Sequence, residues 1–137
     1  MGEGLKIMEE QEARLLSPGL LAYIGDSIYE VMTRDYLLKK GYRSLNELHQ
    51  YTVKIVNASA QAKALRKLEA SLSKKEWSIV RRGRNYKGGN IPANSSVIDY
   101  RMSTGLEALF GYHYLSGNYE RLDFIWEKIV EVLFEKD

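Results

Sequence analysis

The chain has 137 residues, with 20 basic and 18 acidic side chains and a formal net charge of +2 at pH 7. This length suffices for one domain with a substantial hydrophobic core, and so small a net charge does not by itself identify a nucleic-acid-binding protein. The absence of cysteine excludes disulfides, thiolate zinc sites and cysteine nucleophiles, and it fits a reducing cytoplasm.

The N-terminal part of the chain predicts no well-marked element. Residues 1–11 are polar and acidic, and no apolar run approaches the length of a membrane span, so we expect a cytoplasmic protein without signal peptide or membrane contact. We interpret Glu9, Glu10 and Glu12 as solvated. The expected organisation is a single domain over residues 1–137, with residues 1–16 as a loosely packed segment.

A long helix is predicted at about residues 18–40. Ser17-Pro18 is typical of a helix start, and Gly41 is typical of a left-handed helix end. Apolar residues recur on one face at three- and four-residue spacing, which indicates a core face: Leu21, Ile24, Ile28, Met32 and Tyr36.

Two neighbouring residues of this helix carry its functional interest. Gly25 lowers helix stability by about 1 kcal/mol relative to alanine, which favours a packing role in which another backbone comes close. Asp26 lies off the apolar face. It is either an ordinary solvated residue or a carboxylate beside a close helix contact, where it would be a candidate metal ligand or general base.

Capping patterns predict the next three helices. Ser44 to Glu47 begins a helix that ends near Val56, Asn57 begins one rich in small residues that ends near Ala70, and Ser73 to Glu76 begins another. The small residues favour close helix packing, and the alternative is a surface that lets a bulky ligand approach.

The helix that begins at Ser73 leads into a basic segment, residues 81–90. Four cations, two amides and one tyrosine alternate there with three glycines, a composition that suits phosphate contacts made from a loop. Ordinary charge at a helix C-terminus is the alternative. The candidates for nucleic-acid contact are Arg81, Arg82, Arg84, Asn85 and Lys87.

A further helix is predicted at about residues 97–115, and it carries Glu107 among apolar residues. Small neighbours at helical spacing, such as Ser103, Thr104 and Gly111, leave space beside the carboxylate for an ion and a phosphate. The alternative is an ion pair with an arginine in the core.

The last predicted helix runs from about residue 119 to residue 135. Its acidic residues lie opposite its apolar stripe, so we interpret them as a solvated face. Together these elements predict an all-α protein.

Several chemistries are disfavoured by the residues present. His49 and His113 are the two histidines, and neither lies in the spacing of a metal site or of a serine nucleophile. No phosphate-binding P-loop is present. Two isolated carboxylates, Asp26 and Glu107, are the best chemical material, and oxygen ligands favour magnesium or manganese over zinc.

Two motifs resemble those of a known family. Ala22-Tyr23-Ile24-Gly25-Asp26-Ser27 resembles the second half of the ribonuclease III signature, and Thr104 to Gly111 resembles that family's second acidic motif. With Arg82-Gly83-Arg84-Asn85 between them, no recognisable double-stranded-RNA-binding domain and a short length, the chain resembles the Mini-ribonuclease III branch of the ribonuclease III family.

The resemblance implies an all-helical endonuclease domain that forms a homodimer and cuts both strands of an RNA duplex. It also implies a role in trimming the ends of the large-subunit (23S) ribosomal RNA precursor. Carried over by position, Asp26 and Glu107 would be catalytic ligands of Mg²⁺, with Mn²⁺ as a possible substitute, and Ser103 and Thr104 would hold outer-sphere waters.

Two positions depart from the pattern of full-length ribonuclease III. Ala22 stands where that family has a glutamate, and Thr104 stands where it has an aspartate, which leaves the number of bound ions open. These losses also keep open a non-catalytic RNA-binding or ribosome-associated protein on the same fold. A helical nucleotide pyrophosphohydrolase is disfavoured because the paired acids of the last helix lie on the wrong face.

Overall fold

The computed structural model describes residues 6–88, 91, 93 and 96–134. In this part of the chain there are seven α-helices, a short 3-10 turn at Glu69–Ser71 and no β-strand, so the predicted all-α class is confirmed. None of the described helices is long and apolar enough to cross a membrane. The helices are α1 (Glu10–Leu15), α2 (Pro18–Lys40), α3 (Leu45–Ile55), α4 (Ala58–Leu68), α5 (Lys74–Arg84), α6 (Val97–Leu115) and α7 (Tyr119–Leu133).

The predicted helix starts are formed by the side chains that the sequence suggests. The hydroxyl oxygens of Ser17 and Ser44 accept hydrogen bonds from the backbone N–H groups of the first turns of α2 and α3. Ser73 and Glu76 form the complete capping box of α5, and α2 ends at Gly41, whose φ is 111°. The bounds of α2 and α6 agree with the prediction because caps define both ends of α2 and the start of α6.

The N-terminal segment differs from its prediction. Residues 10–15 form α1, Ala13 is fully buried, and the N–H of Met8 donates to the carbonyl oxygen of Leu115 at 2.8 Å. Glu10, expected to be solvated, accepts a hydrogen bond from the Tyr112 hydroxyl at 2.7 Å and pairs with Lys75 at 3.0 Å. Both partners are distant in sequence, so the local pattern gave no sign of them, and the expected loose packing is corrected for residues 8–16.

Helix α6 is the centre of the molecule, and α1, α2, α4, α5 and α7 all pack against it. Its Phe110 lies edge-on to Tyr29 of α2, and Tyr29 lies edge-on to Trp126 of α7, with ring centroids 5.1 and 5.6 Å apart. Tyr29 is fully buried although it lies outside the predicted apolar stripe. Helix α2 is therefore buried over a wider arc than its own pattern indicates, because α6 crosses it closely.

Glycines allow that close crossing. A β-carbon on Gly25 would overlap the backbone carbonyl of Glu107, and one on Gly111 would overlap the carbonyl oxygen of Leu21. On the other side of α6, a β-carbon on Gly83 would lie 2.8 Å from the α-carbon of Gly105. Helix α6 is thus held between α2 and α5 by backbone contacts that any side chain would prevent.

A buried ion cluster joins α5, α6 and α7. The Glu76 carboxylate accepts hydrogen bonds from His113 Nε2 and from Arg121 Nε and Nη2, each at 2.7 Å. Although burial alone would raise it, the pKa of Glu76 is held well below its usual range by these hydrogen bonds. The predicted hydrogen bond of His113 is confirmed, and its ring is more completely buried than expected.

Candidate active site

Asp26 and Glu107 line the same cavity, which has a volume of about 500 Å³. Helix α2 supplies Asp26, α6 supplies Glu107 and α4 supplies Gln61, while Tyr86 enters from the segment after α5. The two carboxylates that the sequence selected, 81 positions apart by their numbers (107 − 26), therefore belong to one site.

The glycine contact explains why the two carboxylates meet. Gly25 lies directly against the backbone of Glu107, and Asp26 is the next residue of α2. The same contact that fixes the crossing of α2 and α6 therefore fixes the position of one carboxylate relative to the other. The packing role that the sequence predicted for Gly25 is present.

The electrostatic state of Glu107 reflects this arrangement. The pKa of Glu107 is raised to about 9. Burial of its carboxyl group is the larger cause, and the adjacent carboxyl group of Asp26 is the second. Asp26 itself is exposed. Among the residues that the structure describes, no lysine or arginine forms an ion pair with either carboxylate, so the alternative of a core arginine partner for Glu107 is not found.

This pair fits a hard divalent cation. When both are ionised, two adjacent carboxylates without a cationic partner repel each other, and burial adds to the cost of their charge. A bound divalent cation would offset both effects. No group of three or more acidic or histidine side chains gathers within the described ranges. Mg²⁺ suits such a site because it takes one or two protein carboxylates and completes its octahedron with water and phosphate oxygens.

Ser103 and Thr104 also line the cavity. Their hydroxyls donate to the carbonyl oxygen of Tyr100, at 2.6 and 3.1 Å. Because each hydroxyl proton is used in this way, the oxygens facing the cavity can accept hydrogen bonds from water or from a ribose hydroxyl.

The basic segment reaches the cavity through Tyr86, and its described members differ in their environment. Arg81, Asn85 and Lys87 are exposed. Arg82 instead donates to the carbonyl oxygens of Arg14 and Leu16, at 2.6 and 2.8 Å, and so fixes the connection between α1 and α2.

The remaining members of the segment contact aromatic rings or the cavity itself. The guanidinium carbon of Arg84 lies 5.7 Å from the centre of the Trp77 ring, and Tyr86 packs against Gly19 at the cavity edge. Gly89 and Asn90 lie outside the described residues. The segment is thus connected to the cavity through Tyr86, while its exposed charges lie next to it in the chain.

One site residue was missed by the sequence analysis. Gln61 is buried in the small-residue helix that was interpreted as a packing surface, and its Nε2 donates to Glu107 Oε2 at 3.3 Å. A long polar side chain within an alanine-rich run, four residues after the N-cap Asn57, is the signal that could have singled it out. Each of the two interpretations of α4 applies to some of its small residues. Ala62 and Ala64 pack in the core, whereas Ala58 lines the cavity, where a ligand could approach.

A known protein family matches most of the chain. The Ribonuclease III domain family matches residues 20–118, a range that includes both carboxylates.

Individual proteins are similar over most of the chain. A protein named Mini-ribonuclease 3 from Symbiobacterium thermophilum is 47% identical over 107 residues, covering 78% of this chain and 82% of its own length. A Mini-ribonuclease 3 from a Thermoanaerobacter species is 41% identical and covers 97% of this chain and 94% of its own length. The crystal structure of a Fusobacterium nucleatum protein superposes with a TM-score of 0.77 at 31% identity, covering 86% of this chain and 94% of that one.

Proposed function

The chain belongs to the ribonuclease III family and is an endoribonuclease, and from this premise we propose that it hydrolyses double-stranded RNA with Mg²⁺ held by Asp26 and Glu107. The observation that carries the proposal is the convergence of these two carboxylates, without a cationic partner among the described residues, on one open cavity. Mn²⁺ prefers the same oxygen ligands and is the expected substitute.

Each cavity residue has a role in this proposal. A bound Mg²⁺ would supply activation of a water molecule and stabilisation of the charge that develops on the phosphoryl oxygens. Asp26 and Glu107 would hold the ion in the cavity. Ser103 and Thr104 donate their hydroxyl protons to the carbonyl oxygen of Tyr100, so their oxygens would accept hydrogen bonds from a water molecule and orient it.

Recognition of the substrate is expected to depend on shape and charge. The deep, narrow major groove of duplex RNA hides base edges, so contacts fall on phosphates and 2′-hydroxyls. Arg81, Asn85 and Lys87 are exposed and suited to these contacts, whereas Arg82 contributes charge while its terminal nitrogens bind backbone carbonyls. The proposed physiological substrate is the 23S ribosomal RNA precursor, which is what the motif resemblance implies.

The proposed active form is a homodimer. One side of α2 exposes large apolar residues along its whole length, namely Leu20, Tyr23, Val31 and Leu38, and Tyr23 is 78% exposed. Such a stripe is typical of a surface that a second protein covers. Tyr23 also lines the cavity, so the partner subunit would lie at the edge of the site. A duplex has two strands, and a dimer supplies one site for each.

The decisive experiment is cleavage of end-labelled duplex RNA with and without Mg²⁺. Asp26→Asn and Glu107→Gln are each expected to abolish cleavage, because either change removes a charged ligand from the ion, while duplex binding in a mobility-shift assay persists. Asp35→Asn is the matched control, since Asp35 lies on α2 and pairs with Lys39 at 3.0 Å away from the cavity. Full activity of either site variant would refute the role of that carboxylate, and a wild-type protein that leaves duplex RNA intact would refute the proposed function.

A further inference from the structure

The carboxylate of Glu107 has a neutral side-chain partner on a different helix. Gln61 Nε2 donates to Glu107 Oε2 at 3.3 Å across 46 residues of sequence, and Gln61 is only 3% exposed. The carboxyl group of Asp26 also lies within hydrogen-bonding reach of Glu107, so Gln61 is an uncharged partner beside an acidic one. The amide thus occupies one oxygen of Glu107.

The place of Gln61 is fixed by the turn that precedes it. The Asn57 side-chain oxygen accepts from the N–H of Ala60 at 2.8 Å, and its Nδ2 donates to the carbonyl oxygens of Val53 and Lys54 at 3.0 and 2.8 Å. One turn later, the Gln61 N–H donates to the carbonyl oxygen of Asn57 at 3.0 Å. The end of α3 and the start of α4 are therefore joined by one side chain, which sets the position from which Gln61 extends.

The body of α4 holds the same position from the other side. Ala62, Ala64 and Leu65 are fully buried, and α4 packs along α6, the helix that carries Glu107. The Gln61 amide and the Glu107 carboxylate are therefore each held by a packed helix, α4 and α6 respectively. A hydrogen bond held in this way orients its acceptor.

The donor character of the Gln61 amide determines how this hydrogen bond affects Glu107. An amide N–H group can only donate, so it binds a carboxylate oxygen and leaves the second oxygen of Glu107 available. We propose that Gln61 is a positioning residue, which holds one oxygen of Glu107 so that the other is presented together with Asp26 to the divalent cation. The inference rests on the proposed function, because it concerns the same ion site.

The test separates positioning from simple stabilisation. Gln61→Met keeps the length and nearly the volume of the side chain while removing the donor. We expect the Mg²⁺ concentration for half-maximal cleavage to rise by about tenfold to a hundredfold, the usual effect of losing a partner of a metal ligand, with the KM for duplex RNA unchanged. In the absence of RNA, the increase in melting temperature caused by Mg²⁺ should shrink in the variant.

Two further variants complete the design. Gln61→Asn keeps an amide that is one methylene too short to make the bond. It is expected to raise the Mg²⁺ concentration for half-maximal cleavage as Gln61→Met does, and it provides a second test if one variant folds poorly. Thr33→Val is the matched control, because Thr33 is fully buried and its hydroxyl donates to the carbonyl oxygen of Tyr29 at 2.9 Å. It should lower the melting temperature and leave the Mg²⁺ dependence as in the wild type.

The outcomes distinguish failure of the positioning role from failure of the proposed function. A Gln61 variant with the wild-type Mg²⁺ dependence and a lowered melting temperature would overturn the inference and leave a purely structural hydrogen bond. If the wild type cleaves no duplex RNA but is stabilised by Mg²⁺ more than Gln61→Met, the proposed function fails while the positioning role stands. A wild type that Mg²⁺ does not stabilise at all overturns the positioning role.

Discussion

At the scale of single residues, Glu107 is the side chain whose environment departs furthest from that of a free carboxyl group. It is largely buried, it lies beside Asp26, and its pKa is raised from 4.5 to about 9. The folded protein therefore keeps a proton on Glu107 at pH values where the unfolded chain has lost it. Since the folded state binds more protons over this interval, raising the pH from about 4.5 towards 9 lowers the free energy of unfolding.

Replacing Glu107 by glutamine should remove this dependence. Without divalent cations, Glu107→Gln is expected to melt at a higher temperature than the wild type, by a margin that is small at pH 5 and grows up to about pH 9. Thermal unfolding followed by circular dichroism in a chelating buffer at pH 5, 7 and 9 measures this margin. A margin that stays constant across the three pH values would contradict the assignment of the raised pKa to Glu107.

The site residues illustrate what local sequence can and cannot predict. Asp26 and Glu107 could be selected as candidates because each lies beside small residues in a helix pattern, and the structure places both in one cavity. Gln61 was not, because its importance comes from a hydrogen bond across 46 residues. The structural use of Arg82 was hidden for the same reason, since its acceptors are carbonyl oxygens of the N-terminal segment.

At the scale of elements, the crossing of α2 and α6 determines the geometry of the site. Gly25 and Gly111 permit the approach, and Asp26 follows Gly25 directly. Helix bounds and caps could be predicted because they depend on neighbours within one turn. The depth of burial of α2 could not, because Tyr29 is covered by aromatic rings from α6 and α7.

A single added methyl group should disturb this crossing. In an open helix Gly→Ala stabilises by up to about 1 kcal/mol, but here the methyl group of Gly25→Ala would overlap backbone atoms of Glu107, and such overpacking costs about 1–3 kcal/mol or more. We also expect cleavage to fall by about a hundredfold, because the two carboxylates would be displaced relative to each other.

The measurements for this prediction are chemical denaturation and single-turnover cleavage. Ser27→Ala, an exposed position on the same helix, is the control and should leave both nearly unchanged. Wild-type stability and rate for Gly25→Ala would show that α2 can shift without consequence for the site.

At the scale of the whole molecule, two surfaces are expected to bind partners: the apolar stripe of α2 a second subunit, and the basic segment duplex RNA. We expect the wild type to sediment as a dimer and Tyr23→Glu to sediment as a monomer, because a charge at a 78% exposed position would be desolvated in the interface. Tyr119→Glu, at an exposed tyrosine at the start of α7, is the control. Sedimentation velocity distinguishes these states, and a dimeric Tyr23→Glu would exclude this stripe as the interface.

The basic segment should determine the salt dependence of RNA binding. Replacing Arg84 and Lys87 by alanine in the Glu107→Gln background is expected to weaken duplex binding and to make the slope of log K against log salt less steep by up to about 2, because each phosphate contact releases roughly one counterion. Fluorescence anisotropy over a salt series gives the slope. The Lys40→Ala, Lys128→Ala pair removes the same charge elsewhere, and an equal effect of this pair would assign the change to net charge alone.

The two glycine crossings also divide the molecule into a part that tolerates change and a part that does not. Positions 25, 83, 105 and 111 admit no side chain, whereas Tyr86 at the rim of the cavity is exposed. Descendants of this protein can therefore acquire new substrate preferences by altering the rim, while the helical frame that aligns the acidic pair stays constant.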